Sequence, residues 1–200
     1  MMSLPDLRNK EIILRISLPL SGFLTMLATA YGLQAAAPPA VGEKAPDFEL
    51  TSTLGQRVKL SDLTGRSPVA LVVLRGYPGY QCPFCQRQVK GFVNKAQAFA
   101  DAGVQVVFVY PGPPESTSAR AGEFMAGKNF PAHFTMLLDP GYEFTNLYRL
   151  RWDAARETAY PSTFLIDRKG VVYFQKISKG HGGRTSAAEI IELLPKQKMP

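Results

Sequence analysis

The sequence predicts an α/β fold with a central mixed β-sheet flanked by helices. Three observations carry that expectation. Residues 69–74 and 104–110 are apolar, β-branched runs of strand length, as expected of strands covered on both faces. Between them Phe84, Val89, Phe92, Val93, Ala96 and Phe99 recur at spacings of mostly three to five, which predicts one amphipathic helix ending near Gly103. Strand, helix and strand within about forty residues form a βαβ unit, which implies parallel strands joined by a right-handed crossover.

The remaining elements follow in order. Residues 48–51 alternate apolar and polar and predict a strand. Residues 54–57 predict a turn, 58–60 a second short strand, and 61–63 a helical turn stopped by Gly65. A helix is expected at 118–127, a short strand at 134–138 and another helix at 142–150. Residues 162–166 and 171–174 flank Asp167-Arg168-Lys169-Gly170, a hairpin signature. A last amphipathic helix spans 186–194, with Ile190, Ile191 and Leu194 facing inward.

The first residues read differently. Residues 1–15 mix Arg8, Lys10 and Arg15 with Asp6 and Glu11, whereas 16–33 carry no charge, and Ala35-Ala36-Ala37 then precedes Pro38-Pro39. That is the order of a secretory signal, with an uncleaved membrane anchor as the competitor. The expected organisation is therefore a signal or anchor at 1–37, a linker at 38–42 and one domain at 43–195. Either form places the domain outside the cytoplasm, where disulfides persist.

Composition narrows the chemistry. The net charge of +7, from 23 Lys+Arg and 16 Asp+Glu, is spread singly, so no nucleic-acid partner is expected, and no membrane contact beyond the N-terminal segment. Two cysteines exclude a four-thiolate metal site, and two histidines disfavour a multi-histidine centre. No cofactor and no metal are expected.

The two cysteines, Cys82 and Cys85, are spaced C-x-x-C where a loop leaves the central strand and enters the long helix. Unpaired N–H groups and the helix dipole favour a thiolate there. A spacing of three puts both sulfurs on one side of the first turn, so they can bridge without unwinding it. As a mere staple the pair is weak, because a four-residue loop removes about 2 kcal/mol of unfolded-state entropy against about 4.7 for a hundred-residue loop. A redox-active pair is the expectation; a structural disulfide and a two-thiolate metal site are the competitors.

Residues 41–76 and 160–174 resemble the peroxiredoxin (alkyl hydroperoxide reductase/thiol-specific antioxidant) family of the thioredoxin-like superfamily, and the resemblance covers nearly all of 41–195. It implies a thioredoxin-like fold and a thiol-dependent oxidoreductase. Of the peroxiredoxin pattern P-x-x-x-T/S-x-x-C, Pro78 and Cys85 match while Cys82 occupies the Thr/Ser slot. Of the thioredoxin pattern W-C-x-x-C, both cysteines match while Gln81 replaces Trp. Where peroxiredoxins carry an Arg ahead of the T-F-hydrophobic-I-D strand, Pro161 stands, as in thioredoxins. The resemblance therefore implies a cis Tyr160–Pro161 bond beside the cysteines. Gly76 falls where thioredoxin has a buried acid that accepts a proton.

These patterns favour thiol–disulfide exchange, with Cys82 as the exposed nucleophile and Cys85 as the resolving thiol. Pro78, Gln81, Tyr160 and Pro161 would support the site. A peroxiredoxin-type peroxidase, with Cys85 peroxidatic and Cys82 resolving, stays open, and Arg75, Arg87 or Arg184 could then replace the missing Arg. A non-enzymatic module delivering a metal such as Cu(I), with His181 as third ligand, is the remaining alternative. His181 is otherwise expected to bond locally, and Trp152 and the helix phenylalanines to be core. The expected partners are a protein disulfide or peroxide and an external thiol electron donor.

Overall fold

A computed structural model describes residues 37–194. The expected signal or anchor segment lies outside the described residues except for Ala37. Among the described residues no helix is long and apolar enough to cross a membrane.

The chain opens with β1 (Glu49–Ser52), β2 (Arg57–Lys59) and α1 (Leu60–Thr64), then enters β3 (Val69–Val73). After β3 come α2 (Pro83–Val93), α3 (Ala96–Asp101) and β4 (Gln105–Gly112). Next are α4 (Thr117–Met125), β5 (Phe134–Pro140) and α5 (Glu143–Leu147). The hairpin β6 (Ser162–Ile166) and β7 (Val172–Ile177) precedes α6 (Ala187–Leu193).

The seven strands form one sheet in the order β2-β1-β5-β4-β3-β6-β7. Strands β3, β4 and β5 run parallel at its centre, and β6 and β1 pair antiparallel on either side. The sheet is mixed, and helices cover both faces, as expected.

The period of two along β3 divides the interior. Ala70, Val72 and Leu74 point into one core with Val89 and Phe92 of α2, Phe99 of α3, Phe124 of α4 and Ile190 of α6. Val69, Leu71 and Val73 point into the other, with Leu63 of α1 and Phe144 of α5. Both cysteines belong to the first core.

One expected helix is two. Lys95 leaves helical geometry (φ −115°, ψ 19°), so the helix ends at Val93 and restarts at Ala96. Val93, Ala96 and Phe99 stay on the core side of the break, and Phe92 stacks on Phe99 at 5.3 Å between centroids. The apolar spacing therefore runs through the break and does not reveal it.

Candidate functional site

The site forms beyond the C-terminal end of β3. Gly76 turns the chain outward there with φ +72°. A Cβ on this residue would lie 1.8 Å from the Pro111 carbonyl oxygen, so close backbone approach excludes every side chain at 76. This is the physical reason that the acid of thioredoxins is missing.

The loop then delivers Cys82 as the N-cap of α2, with Pro83 at the first helical position where its missing N–H costs nothing. Both cysteines are free thiols. The expected exposure of Cys82 is corrected by the structure, because only 1% of the residue is exposed and Cys85 is fully buried. Cys82 packs into the first core, and Arg184, from the segment ahead of α6, places Nη2 3.7 Å from its Sγ.

The two sulfurs differ in electrostatics. A hydrogen bond from the Cys85 thiol lowers the Cys82 pKa most; burial opposes this, and the Cys85 backbone N–H, the Arg184 charge and an Arg75 hydrogen bond add to it. The net result is a fall to about 5. Burial, and then the adjacent Cys82 sulfur, push Cys85 well above the ordinary thiol range. The reduced pair is thus one thiolate at the helix start and one protonated thiol a turn inside.

Arg75 is the largest fully buried side chain among the described residues. Its guanidinium donates to Glu157 at 2.5 Å, to the Tyr80 hydroxyl at 2.6 Å and to the Arg156 carbonyl at 2.6 Å. Arg156 adopts left-handed backbone (φ 60°), a conformation costing about 1–2 kcal/mol for a residue with a Cβ. Glu157 also meets His181 Nε2 at 2.9 Å. Burial raises its carboxyl pKa, but Arg75 and His181 outweigh that and hold it below the usual carboxylate range.

Of the sequence-derived support residues, Gln81 accepts from the buried Tyr110 hydroxyl (2.9 Å) and donates to the Arg120 carbonyl (2.8 Å), fixing the residue ahead of Cys82. Pro78 is half-buried in the loop. Tyr160 stacks on Trp152 (4.8 Å between centroids), which is half-buried rather than core.

Pro161 is buried, but its bond to Tyr160 is trans, since the described residues contain no cis peptide. The backbone on either side is held extended: Tyr160 N–H donates to Leu150 at 2.8 Å and Pro161 accepts from Ser178 at 2.8 Å. Trans is also the X–Pro ground state by about 0.5–1 kcal/mol. The proline therefore no longer separates thioredoxin-like from peroxiredoxin-like chemistry, and the difference between the sulfurs takes over that role.

Two of the three candidate arginines, Arg75 and Arg184, reach Cys82, while Arg87 lies over the Phe84 ring (5.5 Å) on the exposed face of α2. Phe84 is 40% exposed and so is not core. His181 bonds Glu157, 24 residues away, rather than a local partner, and lies 6.4 Å from the Phe84 ring. Among the described residues no group of three or more His, Cys, Asp or Glu is placed to hold a metal. Glu157 and Tyr110 were not legible in sequence, since no spacing links them to the cysteines.

A family model described as the AhpC/TSA family matches residues 41–175. Peroxiredoxin Bcp of Bacillus subtilis is 31% identical over 135 residues, which cover 65% of this chain and 80% of that protein. Thiol-disulfide oxidoreductase ResA of the same organism is 31% identical over 131 residues, covering 66% of this chain and 64% of ResA, just under two thirds of its length. A putative thiol:disulfide interchange protein DsbE from Chlorobium tepidum superposes with a TM-score of 0.55 at 32% identity, covering 78% of this chain and 96% of that one. With the fold, the C-x-x-C helix start and these relatives in agreement, the chain belongs to the AhpC/TSA family and is a thioredoxin-fold oxidoreductase.

Proposed function

We propose that the protein performs thiol–disulfide exchange through Cys82 and Cys85. The observation that carries this is the opposite tuning of the two sulfurs, a thiolate at Cys82 under Arg184 and a protonated thiol at Cys85. The Cys82 thiolate attacks one sulfur of a substrate disulfide. That S–S bond breaks, the first substrate thiolate leaves, and a mixed disulfide forms. Cys85 then loses its proton and attacks Cys82 Sγ, expelling the second substrate thiolate. The substrate gains two electrons and the protein is left with a Cys82–Cys85 disulfide. An external thiol donor returns the two electrons and closes the cycle.

A peroxidase working through Cys85 would need the thiolate on the sulfur that burial keeps protonated. The two mechanisms separate by mutation. Cys85→Ser is expected to trap a mixed disulfide through Cys82, and Cys82→Ser to abolish exchange. Consumption of one equivalent of peroxide by the Cys82→Ser protein, with sulfenic acid on Cys85 at a rate orders of magnitude above an ordinary thiol, would overturn the proposal.

The uncharged 16–33 segment, and the presence of ResA and DsbE among the relatives, support action outside the cytoplasm, with residues 43–195 as the working domain. A fusion of residues 1–45 to a reporter active only after export is expected to be active. Activity confined to a reporter that works only in the cytoplasm would sink the assignment.

A further inference from the structure

Between α2 and the segment 181–187 lies an open groove of about 290 Å³, linked to the cysteines through Arg184, which lines it and reaches Cys82 Sγ. Small residues line the groove, among them Gly91, Gly183 and Ala187, together with the exposed Phe84 ring. Two guanidinium groups, Arg87 and Arg184, line it, and no carboxylate does. Arg87 is exposed, with its guanidinium over the Phe84 ring. Arg184 bonds the Gln88 amide oxygen (3.2 Å), the His181 carbonyl (3.0 Å) and Cys82 Sγ. The neighbouring Glu157 is already taken by Arg75 and His181. The groove therefore presents positive charge with no internal counter-ion, and Arg184 joins it to the attacking sulfur.

We propose that this groove selects low-molecular-weight disulfides bearing carboxylates, seating one half of an anionic peptide disulfide with its carboxylate on Arg87 while its sulfur meets Cys82. The inference rests on the exchange mechanism above and adds a substrate class to it. Size and access favour a small substrate over a protein. The volume corresponds to about ten waters at roughly 30 Å³ each, at the lower end of small-molecule pockets. Cys82, only 1% exposed and in contact with Arg184, leaves little room for a bulky partner. The small residues in the groove's lining let a peptide backbone approach closely.

The test uses the reduced full-length protein and three small disulfides: glutathione disulfide (anionic), bis(2-hydroxyethyl) disulfide (neutral) and cystamine (cationic). The rate constant for Cys82 attack is expected to fall in that order, and the preference for glutathione disulfide over cystamine to shrink as salt is raised. Arg87→Glu is expected to lower the glutathione disulfide to cystamine ratio about tenfold, the scale of reversing one exposed charge contact. Arg168→Glu, in the β6–β7 turn at the opposite end of the sheet, makes the same change in net charge and is expected to hold the ratio within about twofold. Equal loss in both variants would mean only the overall positive field acts, and the groove assignment would fall. A wild-type order independent of substrate charge, or a protein disulfide far outpacing all three, would also overturn it while leaving exchange intact. No reaction with any disulfide would overturn exchange itself.

Discussion

Cys82 is anionic because donors from three directions meet at one sulfur: the Cys85 thiol and N–H, Arg184 and Arg75. The Cys85 bond is the largest of these, so Cys85→Ala should raise the Cys82 pKa above its value of about 5. Thiolate absorbance followed against pH would show the midpoint moving upward, with a smaller rise for Arg184→Met. Whatever rate its burial allows, wild-type alkylation should level off above pH 5 and fade as acid protonates the sulfur. Arg75 and Glu157 behave as a unit, since their side chains are only 2% and 11% exposed. Glu157→Ala would leave a buried guanidinium without its carboxylate, which costs about 3 kcal/mol. Denaturant midpoints should show that loss and its partial recovery in Glu157→Ala/Arg75→Met. The cysteines were legible in sequence from spacing and context. Glu157 was not, because it lies 82 residues from Arg75 and only the folded chain joins them.

At the scale of elements, α6 has the most complete start. Ser186 accepts from Glu189 N–H at 3.1 Å and Glu189 reaches back to Ser186 N–H at 3.4 Å, a reciprocal cap. Thr185, just ahead of it, is buried and bonded to Thr163 on β6 at 2.7 Å. The cap thus fixes the point from which Arg184 extends over Cys82. Ser186→Ala should cost about 1 kcal/mol of stability. It should also raise the Cys82 pKa slightly, read by the same absorbance titration, because Arg184 loses its anchor. The strands, the hairpin and α6 were predictable, since burial imposes periods of 2 and 3.6 on the sequence. The break at Lys95 and the trans Tyr160–Pro161 bond were not. The first leaves the apolar spacing unchanged, and the second lies between backbone hydrogen bonds to Leu150 and Ser178, residues that sequence alone does not bring near.

For the whole molecule, the two thiols couple folding to pH. Unfolding returns Cys82 from about 5 to its ordinary value near 9, so between those limits the unfolded chain binds a proton that the folded chain does not. Stability of the reduced protein should therefore rise with pH across that window. The contribution is lost as pH falls through 5. Above 9 the trend should reverse, since the folded state keeps Cys85 protonated when the unfolded state does not. Urea unfolding of the reduced protein at a series of pH values would show the slope, and Cys82→Ser should remove its rising part. The α/β class and the helices on both faces were legible from the order of elements. The continuous apolar run at 69–74 showed a strand covered on both faces, but the membership of each core, and which one holds the cysteines, required the topology.

The bare backbone at Gly76 has a kinetic consequence. With Pro111 so close, no acid can stand there to take the proton from Cys85. Once Cys82 is engaged in a mixed disulfide its charge is gone, but burial, the larger influence on Cys85, remains. Release of the partner is then expected to be slowed by the deprotonation of a buried thiol with no acid at position 76 to assist it, so the covalent complex is expected to accumulate during turnover. Acid quenching of the unmutated protein in mid-reaction should capture its partner still attached, so the dwell time of that bond, rather than the speed of first attack, sets how long each encounter lasts.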